Sequence, residues 1–264
     1  MTAEPGLVSS KDNPLLKELR RLAQDPGAYR RAGRVWIEGD HLCRAARVRG
    51  LRPSIAVFAE SAWDRARAEW RGAADRIVRV ADPLLAAVSG LESPAPMGFV
   101  IELPPPPALA PAAATVVLDR VQDAGNVGSI LRSAAAFGFA QVLALKGTAA
   151  LWAPKVLRAG MGAHFGLRLI EGLEADALQA LQVPLVATSS HRGDYLHRTG
   201  LPHPCAWLLG HEGQGVSAAL EARAALTVRI AQPGGEESLN VAAAAAICLH
   251  ASAASASAGS GSGL

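Results

Sequence analysis

Three short stretches gather the residues best suited to chemistry. The first is Asn126-x-Gly128-x-x-x-Arg132, inside LDRVQDAGNVGSILRSAAAFGF at 118–139. Arg132 stands among Ile130, Leu131, Ala134, Ala135 and Ala136, so its charge needs an anionic partner or an open edge. Gly128 lets a ligand or another chain come close. Asn126 has a plain reading as the N-cap of the helix that follows. The second stretch is LLGHEGQGVS, 208–217, with Gly210, Gly213 and Gly215 around Glu212. It is either a simple glycine turn or a loop that holds a carboxylate buried or facing a ligand. The third is IAQPGGEESLNVAAAAAICL, 230–249, where an apolar run breaks at Pro233-Gly234-Gly235 and an alanine-rich helix begins near Ser238. Ser238 is the expected N-cap, with Glu236 and Glu237 at the positive end of the helix dipole and backbone N–H groups open to a ligand.

Other site chemistries find little support. No GxxxxGK[ST] occurs, and Gly160-Met161-Gly162 followed by Gly166 misses the dinucleotide-binding spacing. His191, His197 and His203 lack metal-ligand spacing, so no metal is expected. Cys43, Cys205 and Cys248 lie far apart without a CxxC pair, which argues against a disulfide framework or structural zinc and for a reducing compartment.

The elements that must position these stretches form two alternating series. In the first, 12–23 reads as a basic amphipathic helix with Leu15, Leu16, Leu19 and Leu22 on one stripe. Strands are predicted at 35–37, 54–59, 77–80 and 98–102, with helices at 41–49, 62–70 and 83–88. Trp36 is read as core, with base stacking as the alternative. Pro104 to Pro107 and the following ALAPAAA form a stiff linker. The second series has continuously apolar strands at 114–119, 141–145, 167–170, 184–188, 205–209 and 226–230, as a doubly covered parallel sheet requires. Helices are predicted near 126–137, 153–161, 175–182, 217–224 and 238–250. Glycine and polar loops at the C-terminal ends of such strands are where open α/β sheets bind ligands. Alanine at 242–246 lets another backbone approach, so this helix is expected to be buried. The resulting division is a small α/β domain at 1–103, a linker at 104–112, an α/β domain at 113–251 and a disordered low-complexity tail at 252–264.

Charge is uneven. Residues 1–52 hold eleven Lys and Arg against six Asp and Glu, although the whole chain carries only +3. That excess is either a polyanion-binding surface or a solvated basic face. With no apolar run of signal-peptide or membrane-span length, the chain reads as soluble and cytoplasmic.

Taken in order, Asn126-x-Gly128-x-x-x-Arg132 with Ala136-Phe137-Gly138, Leu209-Gly210-x-Glu212-Gly213-x-Gly215, and Glu237-Ser238-Leu239-Asn240-Val241 resemble the three signature motifs of the SpoU/TrmH family of RNA ribose 2′-O-methyltransferases, in the SPOUT superfamily. The resemblance covers about 114–250. Pro154 to Ala163 is also similar, with Gly160 where a serine is frequent. Residues 9–39 are similar to the N-terminal RNA-binding domain of ribosomal-RNA members.

The resemblance implies a C-terminal trefoil-knotted methyltransferase domain with a mostly parallel sheet, preceded by a small α/β RNA-binding domain. It implies S-adenosylmethionine as cofactor, a homodimer, and RNA as partner, most readily 23S ribosomal RNA. A tRNA substrate and a non-catalytic ribosome-assembly factor are the alternatives. By family analogy Asn126, Arg132, Glu212 and Asn240 line the reacting end, while Thr188, Gly210, Ile230, Gln232, Ser238 and Leu239 hold the cofactor. RNA phosphates would meet Lys11, Lys17, Arg20, Arg30, Arg31, Arg34 and Arg158.

Overall fold

The computed structural model describes residues 4–90, 93–103, 105–235 and 238–260. Glu236, Glu237, the first proline of the linker (Pro104) and the last four residues of the expected tail lie outside these, so the readings placed on them receive no structural account.

The chain divides into two compact units, one of residues 1–105 with 152–165, the other of 106–151 with 166–264. In the first, the elements are β1 (Leu7–Val8), α1 (Pro14–Gln24), α2 (Ala28–Ala32), β2 (Arg34–Glu38), α3 (Asp40–Val48), β3 (Ile55–Ala59), α4 (Glu60–Trp70), β4 (Arg76–Val80), α5 (Asp82–Ala86) and β5 (Met97–Glu102). The sheet order is β1-β4-β3-β5-β2, parallel among β1, β4 and β3 and antiparallel where β5 meets β3 and β2. Asn13 caps α1 by accepting the Leu15 N–H at 2.9 Å, and Pro14 follows at the position where a missing N–H costs nothing. The predicted stripe of Leu15, Leu16, Leu19 and Leu22 is buried in the core beside Trp36. Trp36 is 4% exposed, and a Cβ added at Gly98, two residues along β5 from its register partner Val100, would come within 2.3 Å of its ring, so only glycine fits there. The core reading of Trp36 stands, and base stacking does not.

In the second unit and the segment it encloses, chain order runs β6 (Thr115–Asp119), α6 (Ala124–Ala136), β7 (Gln141–Leu145), α7 (Pro154–Gly160), β8 (Arg168–Leu173), β9 (Leu185–Thr188), β10 (Asp194–Tyr195), β11 (Ala206–Gly210), α8 (Ala218–Glu221), β12 (Leu226–Arg229) and α9 (Val241–Ser260). The helix α7 packs with the first unit instead of the second, contrary to the expected division. Gly162, at φ +89°, brings its Cα so close to Ala45 that an added Cβ would lie 2.5 Å from the alanine methyl. At Gly160, the departure from the resembled pattern, a Cβ would meet the His164 ring at 2.4 Å. The stretch expected as a helix at 175–182 is a short 3-10 segment, Ala175–Ala180.

Seven strands form a wholly parallel sheet in the order β10-β12-β9-β11-β6-β7-β8. The strands β6, β7 and β11 are buried at every position, which is why they are mostly apolar, with the buried polar residues Thr115, Asp119 and Gln141 at strand ends and hydrogen-bonded. Because β12, β9, β11 and β6 are parallel neighbours, their C-terminal ends lie along one edge of the sheet, and the loops that leave them are brought side by side.

Helix α9 corrects two expectations. The tail does not begin at residue 252: the helix continues to Ser260. Alanine and serine are compatible with helix, and Ser252 is fully buried, accepting the Trp207 indole N–H at 2.9 Å. Nor is the helix buried all round. Ala245, Cys248, Leu249 and Ser252 form its buried stripe, whereas Ala243, Ile247 and His250 are exposed. Among the described residues no helix is long and apolar enough to cross a membrane.

Candidate active site

Two capping readings need correction, and the corrections build the site. The residue that caps α6 is Asp123, whose carboxylate accepts the Asn126 N–H at 2.7 Å. Asn126 sits three positions inside the helix with its side chain free to point elsewhere. At the other end of the chain, α9 is capped by Asn240 and not by Ser238. The Asn240 Oδ1 accepts the N–H groups of Ala242 and Ala243 at 2.9 and 3.2 Å.

With caps assigned, the two amides line up. Asn240 Nδ2 donates to Asn126 Oδ1 at 2.9 Å, and Asn126 Nδ2 donates to Glu212 Oε1 at 3.1 Å. Glu212 also accepts the backbone N–H of Asp123 at 3.0 Å and of Gln122 at 3.1 Å. Partial burial opposes its charge, but these donors outweigh that effect and bring its pKa down to about 2. An ionised carboxylate only accepts, so Asn126 must turn its nitrogen towards it. Asn126 Oδ1 then faces Asn240, whose own oxygen is engaged by the helix terminus. The polarity of the relay is thereby set from both ends, leaving a second N–H on each amide for a ligand.

Arg132 is not drawn into this relay. Six positions after Asn126 it is rotated about a third of a turn around α6. It is exposed, with no ion pair or hydrogen bond among the described residues, so of the two sequence readings the open edge is the one realised.

Beside the relay lies a cleft of about 360 Å³. Every residue expected to hold a cofactor lines it: Thr188 at the end of β9, Gly210 at the end of β11, and Ile230, Gln232, Ser238 and Leu239 between β12 and α9. Glu212 lines it as well, joining cleft to relay. Gly210 is required, since an added Cβ would lie 2.0 Å from the backbone of Gly215 and Val216, where the glycine loop folds back. Thr188 is partly committed, its hydroxyl donating to the Leu208 carbonyl at 3.1 Å.

Some lining residues escaped the sequence reading. Ser189, Ser190, His191 and Arg192 follow β9 into the cleft, and Cys248 comes from α9. Burial pushes the Cys248 thiol up to about 12, so it serves as an uncharged wall. The only local signal for the first group was its polar run after an apolar strand; for Cys248 there was none.

The expected phosphate-binding residues fall in the first unit and differ in availability. Lys11, Lys17, Arg30 and Arg31 are exposed, while Arg20 and Arg158 are half-buried. Lys17 and Arg20 line one shallow hollow on α1 together with Arg21. Arg34 is held between Glu18 at 2.5 Å and Glu102 at 3.6 Å, which makes it part of the fold. Among the described residues no cluster of three or more metal-ligating side chains occurs.

Comparison with known proteins agrees with this geometry. Residues 113–250 match the model of the SpoU rRNA methylase family. Over 262 residues the chain is 31% identical to a Synechocystis protein described as an uncharacterized tRNA/rRNA methyltransferase, spanning 92% of each. It is 32% identical over 169 residues to the 23S rRNA (guanosine(2553)-2′-O)-methyltransferase of Bacillus subtilis, covering 63% of this chain and 68% of that one. The fold superposes on an AdoMet-bound rRNA methyltransferase from Sinorhizobium meliloti with a TM-score of 0.80 at 26% identity, covering 93% of this chain and 96% of the other. The chain is a methyltransferase and belongs to the SpoU rRNA methylase family.

Proposed function

We propose that this protein transfers the methyl group of S-adenosylmethionine to a ribose 2′-hydroxyl of RNA, with 23S ribosomal RNA as substrate. The observation that carries the reading is the junction at Glu212, which belongs both to the cleft and to the Asn240–Asn126 relay. The cleft suits the cofactor on its own terms. Gln232 Oε1 is buried there with no hydrogen-bond partner among the described residues, an acceptor that a ligand N–H would satisfy. Thr188, Gly210, Ile230, Gln232, Ser238 and Leu239 would hold the cofactor. When bound, it would supply a methyl carbon activated by a sulfonium, with the neutral thioether as leaving group once the C–S bond gives way to a C–O bond and the hydroxyl proton goes to solvent.

The protein's own task is alignment and charge control. Asn126 and Asn240 present fixed N–H donors to ribose or phosphate oxygens, and Glu212 holds them in register. Arg132 binds the phosphate beside the target ribose and polarises its hydroxyl; a guanidinium with a pKa above about 12 is a poor general base at neutral pH. Lys11, Lys17, Arg20, Arg30, Arg31 and Arg158 add phosphate contacts that set affinity and salt dependence without selecting a nucleotide. The same reading includes a deep trefoil knot in the C-terminal part, a homodimer and a cytoplasmic location. The exposed Ile247 on α9 and the open position of Arg132 support the homodimer, and the three free cysteines support a reducing compartment.

Mapping methylated riboses in RNA from cells with and without the gene tests the reading. The expected result is one 23S position losing its methyl group in the deletion strain. Loss at a tRNA position instead would move the substrate. Cofactor binding by the purified protein without tritiated-methyl transfer to any RNA would replace the enzyme by an assembly factor.

A further inference from the structure

The glycine loop that carries Glu212 is gripped at three points by the last residue of β6 and the short segment that follows it. Gln122 and Asp123 donate their N–H groups to Glu212, as described above. Two residues earlier, Arg120 Nη1 donates to Gln214 Oε1 at 2.8 Å. Asp119, 3% exposed, accepts the Ser217 N–H at 2.7 Å where the loop ends, and accepts Arg120 Nε at 3.0 Å. Burial disfavours the Asp119 charge, yet these donors hold its carboxyl below the ordinary range.

Arg120 is itself fixed from several sides. Its N–H donates to Thr148 Oγ1 at 3.1 Å, and that hydroxyl donates to the Leu118 carbonyl at 3.0 Å. The Gly147 backbone lies against its stem, leaving an added Cβ only 3.1 Å from Cγ. Its φ is +61°, left-handed backbone that a side chain disfavours and glycine accepts freely. A non-glycine residue kept in this conformation while its guanidinium bridges two elements points to a task for the side chain. The loop it holds needs holding: Gly213 and Gly215 flank Gln214, with φ at Gly215 of +69°, and His211 pairs with Gly215 in a single bridge.

We infer that Arg120 is a positioning residue, clamping the 211–217 loop through Gln214 and Asp119 so that Glu212 and the cleft wall keep one geometry. The clamp rests on the proposed function for its consequence, cofactor affinity, but not for its existence, and the test separates the two.

Hydrogen exchange of the cofactor-free protein is measured at the amides of His211, Gly215 and Ser217 in wild type, Arg120→Ala, Arg120→Gly and Gln214→Ala. Binding of S-adenosylmethionine is measured by calorimetry on the same set. Arg120→Gly relieves the backbone while removing the guanidinium. The expected result is faster exchange at these amides in all three variants and roughly tenfold weaker cofactor binding in Arg120→Gly. Arg120→Gly should also melt no lower than Arg120→Ala. Wild-type exchange in Arg120→Gly would overturn the clamp, since the arginine would then matter only to the turn. Faster exchange with unchanged affinity would overturn the link to the cleft. Failure of the wild-type protein to bind cofactor would defeat the proposed function, leaving the exchange data to judge the clamp.

Discussion

Replacing Glu212 by glutamine keeps the side chain's size while removing the acceptor on which the relay depends. The carboxylate meets two donors at Oε1, from Asp123 and Asn126, and one at Oε2, from Gln122. A carboxamide has one oxygen, so whichever way it turns, its NH2 faces at least one N–H. A lost charge-assisted hydrogen bond is worth about 1.5–3 kcal/mol when buried, but Glu212 is exposed and water competes, so the expected cost in stability is about 1 kcal/mol. In a chain of this size that corresponds to a melting temperature about 2–4 °C lower. The larger effect is on turnover. If the NH2 turns towards Asn126, that amide must reverse, and Asn240 cannot follow without losing the cap on α9. Misplaced donors of this kind cost about 100-fold in rate. Tritiated-methyl transfer at saturating cofactor measures the loss, beside melting curves from pH 3 to 9. The sign of the pH arm follows from a folded pKa of about 2 against an ordinary value of 4.5. Glu212 contributes its stability in full above about pH 5 and loses it as pH falls from about 4.5 towards 2. The gap between wild type and Glu212→Gln should therefore be flat from pH 6 to 9 and shrink below pH 4. Turnover within twofold of wild type, or a gap that widens in acid, would refute the relay.

Four further outcomes follow from the same geometry. Arg132→Ala should lower methyl transfer by about 100-fold or more while leaving cofactor affinity within twofold, because Arg132 is exposed and is not among the residues that line the cleft; calorimetry and single-turnover rates separate the two. Asn240→Ala removes the cap on α9 and should destabilise by about 1 kcal/mol in urea titration, with an accompanying loss of transfer. Truncation after Ala251 should cost about 1–3 kcal/mol by leaving the buried Trp207 indole N–H without Ser252; melting unchanged from the full chain would return the segment to a dispensable tail. Ala245→Phe should overfill the buried stripe of α9 and destabilise by about 1–3 kcal/mol, whereas the same change at exposed Ala243 should cost less than about 0.5 kcal/mol in the monomer.

Much of this protein was legible along the chain. The order and spacing of the three motifs identified the family, and the largely apolar runs at 114–119, 141–145 and 205–209 announced a parallel sheet covered on both faces. The leucine stripe of α1 and the core place of Trp36 also followed from local pattern. These are short-range properties: burial on two faces or one stripe is written in residues a few positions apart. The caps and the bonds between the polar side chains were not legible, because the candidate capping residues had competing local uses. Asn126 looked like a cap until Asp123 was seen to fill that role, and Ser238 looked like a cap until Asn240 did. The competition is settled by bonds between residues 86 and 114 positions apart, Asn126 with Glu212 and Asn240 with Asn126. The same holds for Ser252, whose partner lies 45 residues away, and for Arg120, whose partner lies 94 away. Residue type and spacing determined which groups were available for chemistry. Only the parallel ordering of β12, β9, β11 and β6, which sets four chain-distant loops on one edge of a sheet, decided which of those groups meet.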